Sequence, residues 1–485
     1  MTTNIELDAR SSFRWLWRQL TSMRTALILL LLLGVAAIPG SLFPQRTQNP
    51  LAVSDYFASN PGTAKFLDQL QMFDVYSSPW FSAIYILLFI SLIGCVLPRS
   101  FEHFKGIRAQ PSLTPKNLNR MEFHAEVAEG NLDSAEAWLR KNRFRIRRDE
   151  NSISAEKGFM RETGNLLFHL SLILILVGVA LGSFYGMRGD AIINVGERFI
   201  NTPTSYDVVS YGKLQSGKNL TQFSVTATDF KATYELATGT PSDYKLSVNV
   251  ANPVGTKEEA RIVKVNSPLT FGSTKVYLQA NGYSPLVTVR DKSGEIKYQG
   301  AVIFLPQDGN LTSIGAIKVP DMQPQIGFVG SFVPTYARTP ERGSFSSYPE
   351  VLDPRLLVSI WTGDLGLDSG NPQSVYRINT SDMKRIGLKT LKLNETHDFG
   401  DGSITFEGWT PWVNLQIVKD PGKIYALIGS ILAILGLLMS LFTRSRRIWI
   451  KENQGKSGVE VAGLAKNAAP GLENEIASLV NKMKG

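Results

Sequence analysis

The chain of 485 residues holds one cysteine and four histidines, and these two scarcities exclude a good deal of chemistry. With Cys95 alone there is no intrachain disulfide, no CxxC dithiol to cycle and no cysteine cluster for zinc. No glycine-rich phosphate loop occurs, so ATP hydrolysis is not built into the sequence. The long polar stretch between residues 186 and 421 lacks clustered histidines and paired-carboxylate motifs, which argues against an enzyme with its own active site there. The formal net charge of +9 is not gathered into one patch. Its basic residues lie mostly beside apolar blocks, the pattern of membrane topology, and nucleic acid is excluded as the partner. The first apolar block leads into Pro39-Gly40-Ser41 without a small-x-small cleavage site, so it reads as a retained anchor and not a signal peptide.

What is present is hydrophobic length. Four segments approach the roughly 20 apolar residues needed to cross about 30 Å of hydrocarbon. They fall at 25–43, 80–97, 163–185 and 422–442. Arg10, Arg14, Arg18 and Arg24 precede the first, and Arg444, Arg446, Arg447 and Lys451 follow the fourth. The 98–162 connection carries Arg140, Lys141, Arg143, Arg145, Arg147 and Arg148, whereas the 44–79 loop offers only Arg46 and Lys65. The positive-inside rule then places residues 1–24, 98–162 and 443–485 in the cytoplasm and 44–79 and 186–421 outside.

Between the spans the hydrophobic period changes. In the first loop Phe66, Leu67, Leu70 and Phe73 recur at helical spacing and predict one short amphipathic helix. In the second connection Asp133 and Glu136 resemble a capping box opening a helix through Trp138. Residues 143–156 read as two strands about Glu150-Asn151, which makes this connection a small α+β module. From 186 to 421 alternation takes over, as in Phe223, Val225 and Ala227, with Asn281-Gly282, Asp308-Gly309 and Asp401-Gly402 as turn signals. An antiparallel sandwich or barrel-like domain is expected. The tail is polar until Leu472, Ile476, Leu479, Val480 and Met483 form one helical stripe, suited to a partner, the membrane or its own chain. The fold class expected is a membrane protein with three plus one transmembrane helices, a large extracytoplasmic β-rich domain and a small cytoplasmic α+β module.

Among candidate site residues His169 is the most informative, because an ionisable ring about six residues inside an apolar span is costly and by default functional. Neutral imidazole can ligate iron through one nitrogen while donating from the other, or it can serve only as hydrogen-bonded packing between helices. The four spans contain no second histidine, so a six-coordinate haem iron would take its other imidazole from another subunit. Cys95 lies at a comparable depth, although buried cysteine is commonly just a small apolar residue. Lys157 and Arg161 flank the entrance to the third span and suit haem propionates, or simply satisfy the positive-inside rule. His124 reads as an ordinary strand residue, since no second ligand lies at metal spacing in the sequence. His397 reads as a surface residue, and Trp409-Thr410-Pro411-Trp412 as an interfacial aromatic anchor before the last span.

Several stretches taken in order resemble the ResB family, also called CcsB, of system II cytochrome c maturation. They are Thr21-Ser22-Met23-Arg24 with Gly40-Ser41-Leu42-Phe43-Pro44-Gln45; Tyr76-Ser77-Ser78-Pro79-Trp80-Phe81 with Cys95-Val96-Leu97-Pro98-Arg99; and Arg161-Glu162-Thr163-Gly164-Asn165-Leu166-Leu167-Phe168-His169-Leu170. Asn266-Ser267-Pro268-Leu269 and Asp420-Pro421-Gly422 complete the series, while the family's glycine-threonine pair is Gly40-Ser41 here. The resemblance implies a complex in the cell membrane with a CcsA/ResC-type partner that carries the tryptophan-rich WWD segment. That complex would move haem outward and present it to apocytochrome c for attachment to CxxCH motifs. The family's membrane histidine maps onto His169, which implies haem b at the interface with the partner. Trp409 and Trp412 do not reproduce the WWD segment, so this chain would not be the whole synthetase. A separate thioredoxin-like protein would keep the apocytochrome thiols reduced. The alternative, from a different class, is a cofactor-free membrane scaffold or chaperone whose outer β domain binds a client.

Overall fold

A computed structural model describes residues 9–48, 50–121, 123–128, 130–215, 217–235, 238–367, 374–453, 458–465 and 471–484. Among them, four helices are long and apolar enough to cross a membrane: α2 (Met23–Leu42), α5 (Pro79–Arg108), α7 (Met160–Tyr185) and α8 (Lys423–Phe442), with mean hydropathy 2.3 to 2.4. The amphipathic α1 (Ala9–Leu20) precedes them. Ser22 separates α1 from α2 and caps α2 by accepting from the Thr25 amide. Ser78 caps α5 in the same way through the Phe81 amide, with Pro79 at the first helical position, where its missing N–H costs nothing. That helix continues past Leu97 to Arg108.

The first loop differs from expectation. It forms two helices, α3 (Pro50–Ser59) and α4 (Pro61–Gln69), because Asn60-Pro61 stops one and starts the next. Phe73 is fully buried beyond α4, edge-on to Phe43 and Tyr56.

The chain divides into two compact units, residues 1–180 with 422–485, and residues 181–421. In the first unit α7 and α8 approach through glycine. A Cβ on Gly436 would lie 2.6 Å from the Phe168 amide nitrogen, and one on Gly164 2.6 Å from the Gly436 carbonyl. Such close backbone approach is how apolar helices associate where no hydrophobic effect drives them together.

The expected α+β module is present but is built from two distant stretches. Its antiparallel sheet runs Phe123–Val127, Val459–Ala465, Arg446–Glu452, Ser152–Lys157, Arg145–Asp149, so the tail supplies two central strands. Helices α6 (Leu132–Lys141) and α9 (Leu472–Lys484) cover one face, with Leu139, Leu472 and Leu479 wholly buried. The apolar stripe of α9 thus packs on its own chain. Asn131, not Asp133, caps α6 by accepting from the Asp133 amide. Glu136 instead accepts from Arg140 and Arg148.

The second unit is a pair of sandwiches sharing two strands. Thr274–Asp291 and Gly402–Lys419, 18 residues each, pair antiparallel from end to end. Val276, Leu415 and Ile417 from one end meet Phe199, Val225 and Leu246 of a four-stranded sheet. Val287, Ile404 and Phe406 from the other end meet Phe328, Phe332 and Leu356 of a five-stranded sheet. Asn281-Gly282 is therefore not a turn, as its residue types suggest, but the middle of a strand. Glycine is required there because a Cβ would lie 2.5 Å from the Trp412 ring.

Candidate functional site

His169 sits on α7 between the glycines that seat α8. Its Nδ1 lies 2.7 Å from the Asn165 carbonyl one turn earlier. A carbonyl can only accept, so Nδ1 carries a proton and donates, and Nε2 is the nitrogen left for a ligand. Among the described residues nothing hydrogen-bonds to Nε2. Phe168 stands edge-on to the imidazole at 5.3 Å between centroids. One nitrogen is held by a backbone acceptor and the other is open, an arrangement that metal-ligating histidines also use. It fits the donor side of haem iron, and it leaves the packing alternative without the interhelical hydrogen bond that reading needs.

The extension of α5 carries His103, beyond the apolar part of the helix, to the start of α7. His103 Nε2 is 2.9 Å from the Thr163 hydroxyl and Nδ1 is 3.7 Å from the Glu162 carboxylate, the side chain being 9% exposed. Thr163 precedes His169 by six positions on α7, about 9 Å of helical rise. His103 is thus committed to the start of that helix. The signal was Glu102-His103 following Pro98-Arg99, which reads as the end of a span when proline is taken as a stop.

Cys95 stands level with His169. α5 is tied to α7 by the Tyr85 hydroxyl donating to the Leu176 carbonyl and by the His103–Thr163 contact. Between those two ties position 95 falls within about a turn of the depth of position 169. The thiol is free and half-buried. Lys157 lines a cavity of about 490 Å³ together with Arg143, which precedes the strand Arg145–Asp149, and with Arg444 and Arg446 just beyond α8. Its ammonium lies 5.2 Å from the Phe144 ring centroid. Arg161 is not among the residues lining that cavity.

The tryptophans at 409 and 412 form no membrane anchor. The strand continues to Lys419, Trp412 is 2% exposed and donates its indole N–H to the Phe304 carbonyl, and Trp409 packs edge-on to Tyr283. His397 lies in a short strand, Thr396–Asp398, opposite Ile404. His124 is indeed a strand residue, but the fold brings two carboxylates beside it, Glu126 and Glu460.

A family model described as the ResB-like family matches residues 23–477. The chain is similar to the cytochrome c biogenesis protein CcsB of Synechococcus sp. (strain JA-2-3B'a(2-13)), with 25% identity covering 96% of this chain and 91% of that protein. It is likewise similar to the CcsB of Picosynechococcus sp. (strain ATCC 27264 / PCC 7002 / PR-6), at 23% identity over 98% of this chain and 92% of the relative. The CcsB of Microcystis aeruginosa (strain NIES-843 / IAM M-2473) matches at 22% identity over 96% and 94%.

Proposed function

The chain belongs to the ResB-like family, and from that premise we propose that it acts in cytochrome c maturation. With a CcsA/ResC-type partner it carries haem across the membrane and presents it to apocytochrome c. Haem is the cargo, and His169 is its ligand from this chain while the partner supplies the other. The observation that carries this reading is the open Nε2 of His169, with Nδ1 held by the Asn165 carbonyl. Cys95, level with that ring, borders the same site. Lys157 and Arg161, on either side of the start of α7, would hold the propionates, and the three arginines lining the cavity beside Lys157 add to the positive field there.

Both termini and the 98–162 module lie in the cytoplasm, and the 186–421 domain lies outside, where it orients apocytochrome. A lone cysteine cannot cycle as a dithiol, so reduced client thiols come from a separate thioredoxin-like protein. This chain is a subunit of the synthetase and does not attach haem alone.

Purifying the chain with its partner and taking a reduced pyridine-haemochrome spectrum tests the proposal. His169→Ala should lose most of the bound haem and stop c-type cytochrome maturation. Full haem content with normal maturation in that variant would sink the ligand role. A complex that is colourless even in the wild type would favour the cofactor-free scaffold instead.

A further inference from the structure

The sheet of the α+β module sets three ligand groups side by side on the face opposite α6 and α9. Phe123–Val127 and Val459–Ala465 pair antiparallel with Glu126 directly opposite Glu460 and His124 opposite Ala462. Alternation puts His124 and Glu126 on the same face, since Val127 points into the helix-covered core. One ring nitrogen of His124 and one carboxylate oxygen from each glutamate all lie within 4.8 Å of one another.

Like charges directly opposite each other across a strand pair are destabilising, and evolution of a sheet ordinarily sets an opposite charge there. None of the three side chains makes a hydrogen bond or ion pair to another described residue. The nearest basic group on the same face, Lys451, stands opposite Glu460 on the next strand, but its Nζ lies 3.5 Å from the Lys116 carbonyl and is not ion-paired to Glu460. Ligands about 2.0–2.2 Å from one tetrahedral ion lie roughly 3.3–3.6 Å apart. The three atoms lie within 4.8 Å of one another, and rotation of the side chains about their χ angles draws them in to that spacing.

We propose that His124, Glu126 and Glu460 form a binding site for a divalent transition-metal ion, with Zn²⁺ as the representative. An imidazole with two carboxylates is a borderline donor set that favours such ions over Mg²⁺, which takes oxygen ligands and keeps most of its water. The bound ion bridges two parts of the chain, because His124 and Glu126 come from the connection after α5 and Glu460 from the tail after α8. It pins the edge strand Phe123–Val127 to its single neighbour in the sheet. The site is separate from His169, and its fate does not depend on the haem reading.

The test uses the full chain in detergent, without a polyhistidine tag and stripped with chelator. Zn²⁺ is titrated by calorimetry, Co²⁺ is followed by its visible spectrum, and hydrogen exchange is read in 123–127. One equivalent should bind, exchange in that strand should slow, and millimolar Mg²⁺ should not compete. His124→Ala, Glu126→Gln and Glu460→Gln should each weaken Zn²⁺ binding by more than about tenfold, the lower bound seen for losing only an outer-shell partner. Unchanged circular dichroism would establish that the variants still fold. Equal binding in all three variants, no binding below millimolar Zn²⁺, or full competition by Mg²⁺ would each overturn the proposal.

Discussion

A histidine within an apolar helix has two ring nitrogens to satisfy, and α7 supplies an acceptor for only one of them in His169. This asymmetry fixes the tautomer before any ligand arrives. Glu136 is the converse case, a carboxylate whose needs are met twice over. Its oxygens accept from Arg140 at 2.9 and 2.6 Å and from Arg148 at 2.7 Å. Arg148 first and then Arg140 hold its pKa below the ordinary value of 4.5. A carboxylate depressed in the folded state contributes stability that is present above its unfolded pKa and disappears as pH falls through the folded one. Glu136→Gln should therefore lower the melting temperature of the full chain at pH 7, and the difference from wild type should shrink once the pH is below about 4. A difference that stays constant across that range would mean that the lost stability is not electrostatic.

At the scale of elements, the spans were legible because about 20 apolar residues in a row have few alternatives to crossing a bilayer. The tail strands were not, because Arg446–Glu452 alternates Ile448 and Ile450 with Arg447 and Lys451, and the basic residues read first as topology markers. The Zn²⁺ ligand Glu460 was invisible for the same reason, since its distance from His124 along the chain hides a cross-strand neighbour. His169, in contrast, stands out in the sequence because polarity at that depth needs a reason. The tail's place in the sheet makes a prediction. More than half of the module's main core comes from residues 448–483. Ending the chain after Glu452 removes Val459–Ala465, the single sheet neighbour of Phe123–Val127, and α9 with Leu472, Ile476, Leu479 and Met483. Each such side chain contributes about 1.5–3 kcal/mol, so the four together rival the 5–15 kcal/mol that stabilises a typical domain. Hydrogen exchange across 123–157 should rise to that of unfolded chain. Wild-type protection in Phe123–Val127 would show that the module stands without its tail.

Across the whole molecule, that same sheet bears on which side of the membrane each part lies. Adjacent strands of one hydrogen-bonded sheet cannot be divided by hydrocarbon, where open strand edges are not tolerated. Ser152–Lys157 from the connection and Arg446–Glu452 from the tail are such neighbours, so the two belong on one side. That agrees with two candidate spans between them, α7 and α8, just as two, α2 and α5, lie between the N-terminus and the connection. Sequence charge alone gave each segment its own vote, whereas the sheet ties two of those votes together. In the function proposed above that side is the cytoplasm, on the strength of the arginines and lysines of the N-terminus, the connection and the tail. Protease added to right-side-out spheroplasts should therefore cut within 186–421 and leave an epitope at the C-terminus attached to a protected fragment, which becomes sensitive only after lysis. Loss of the epitope from intact spheroplasts, or protection of 186–421, would reverse the orientation and move the large domain away from any client outside the cell.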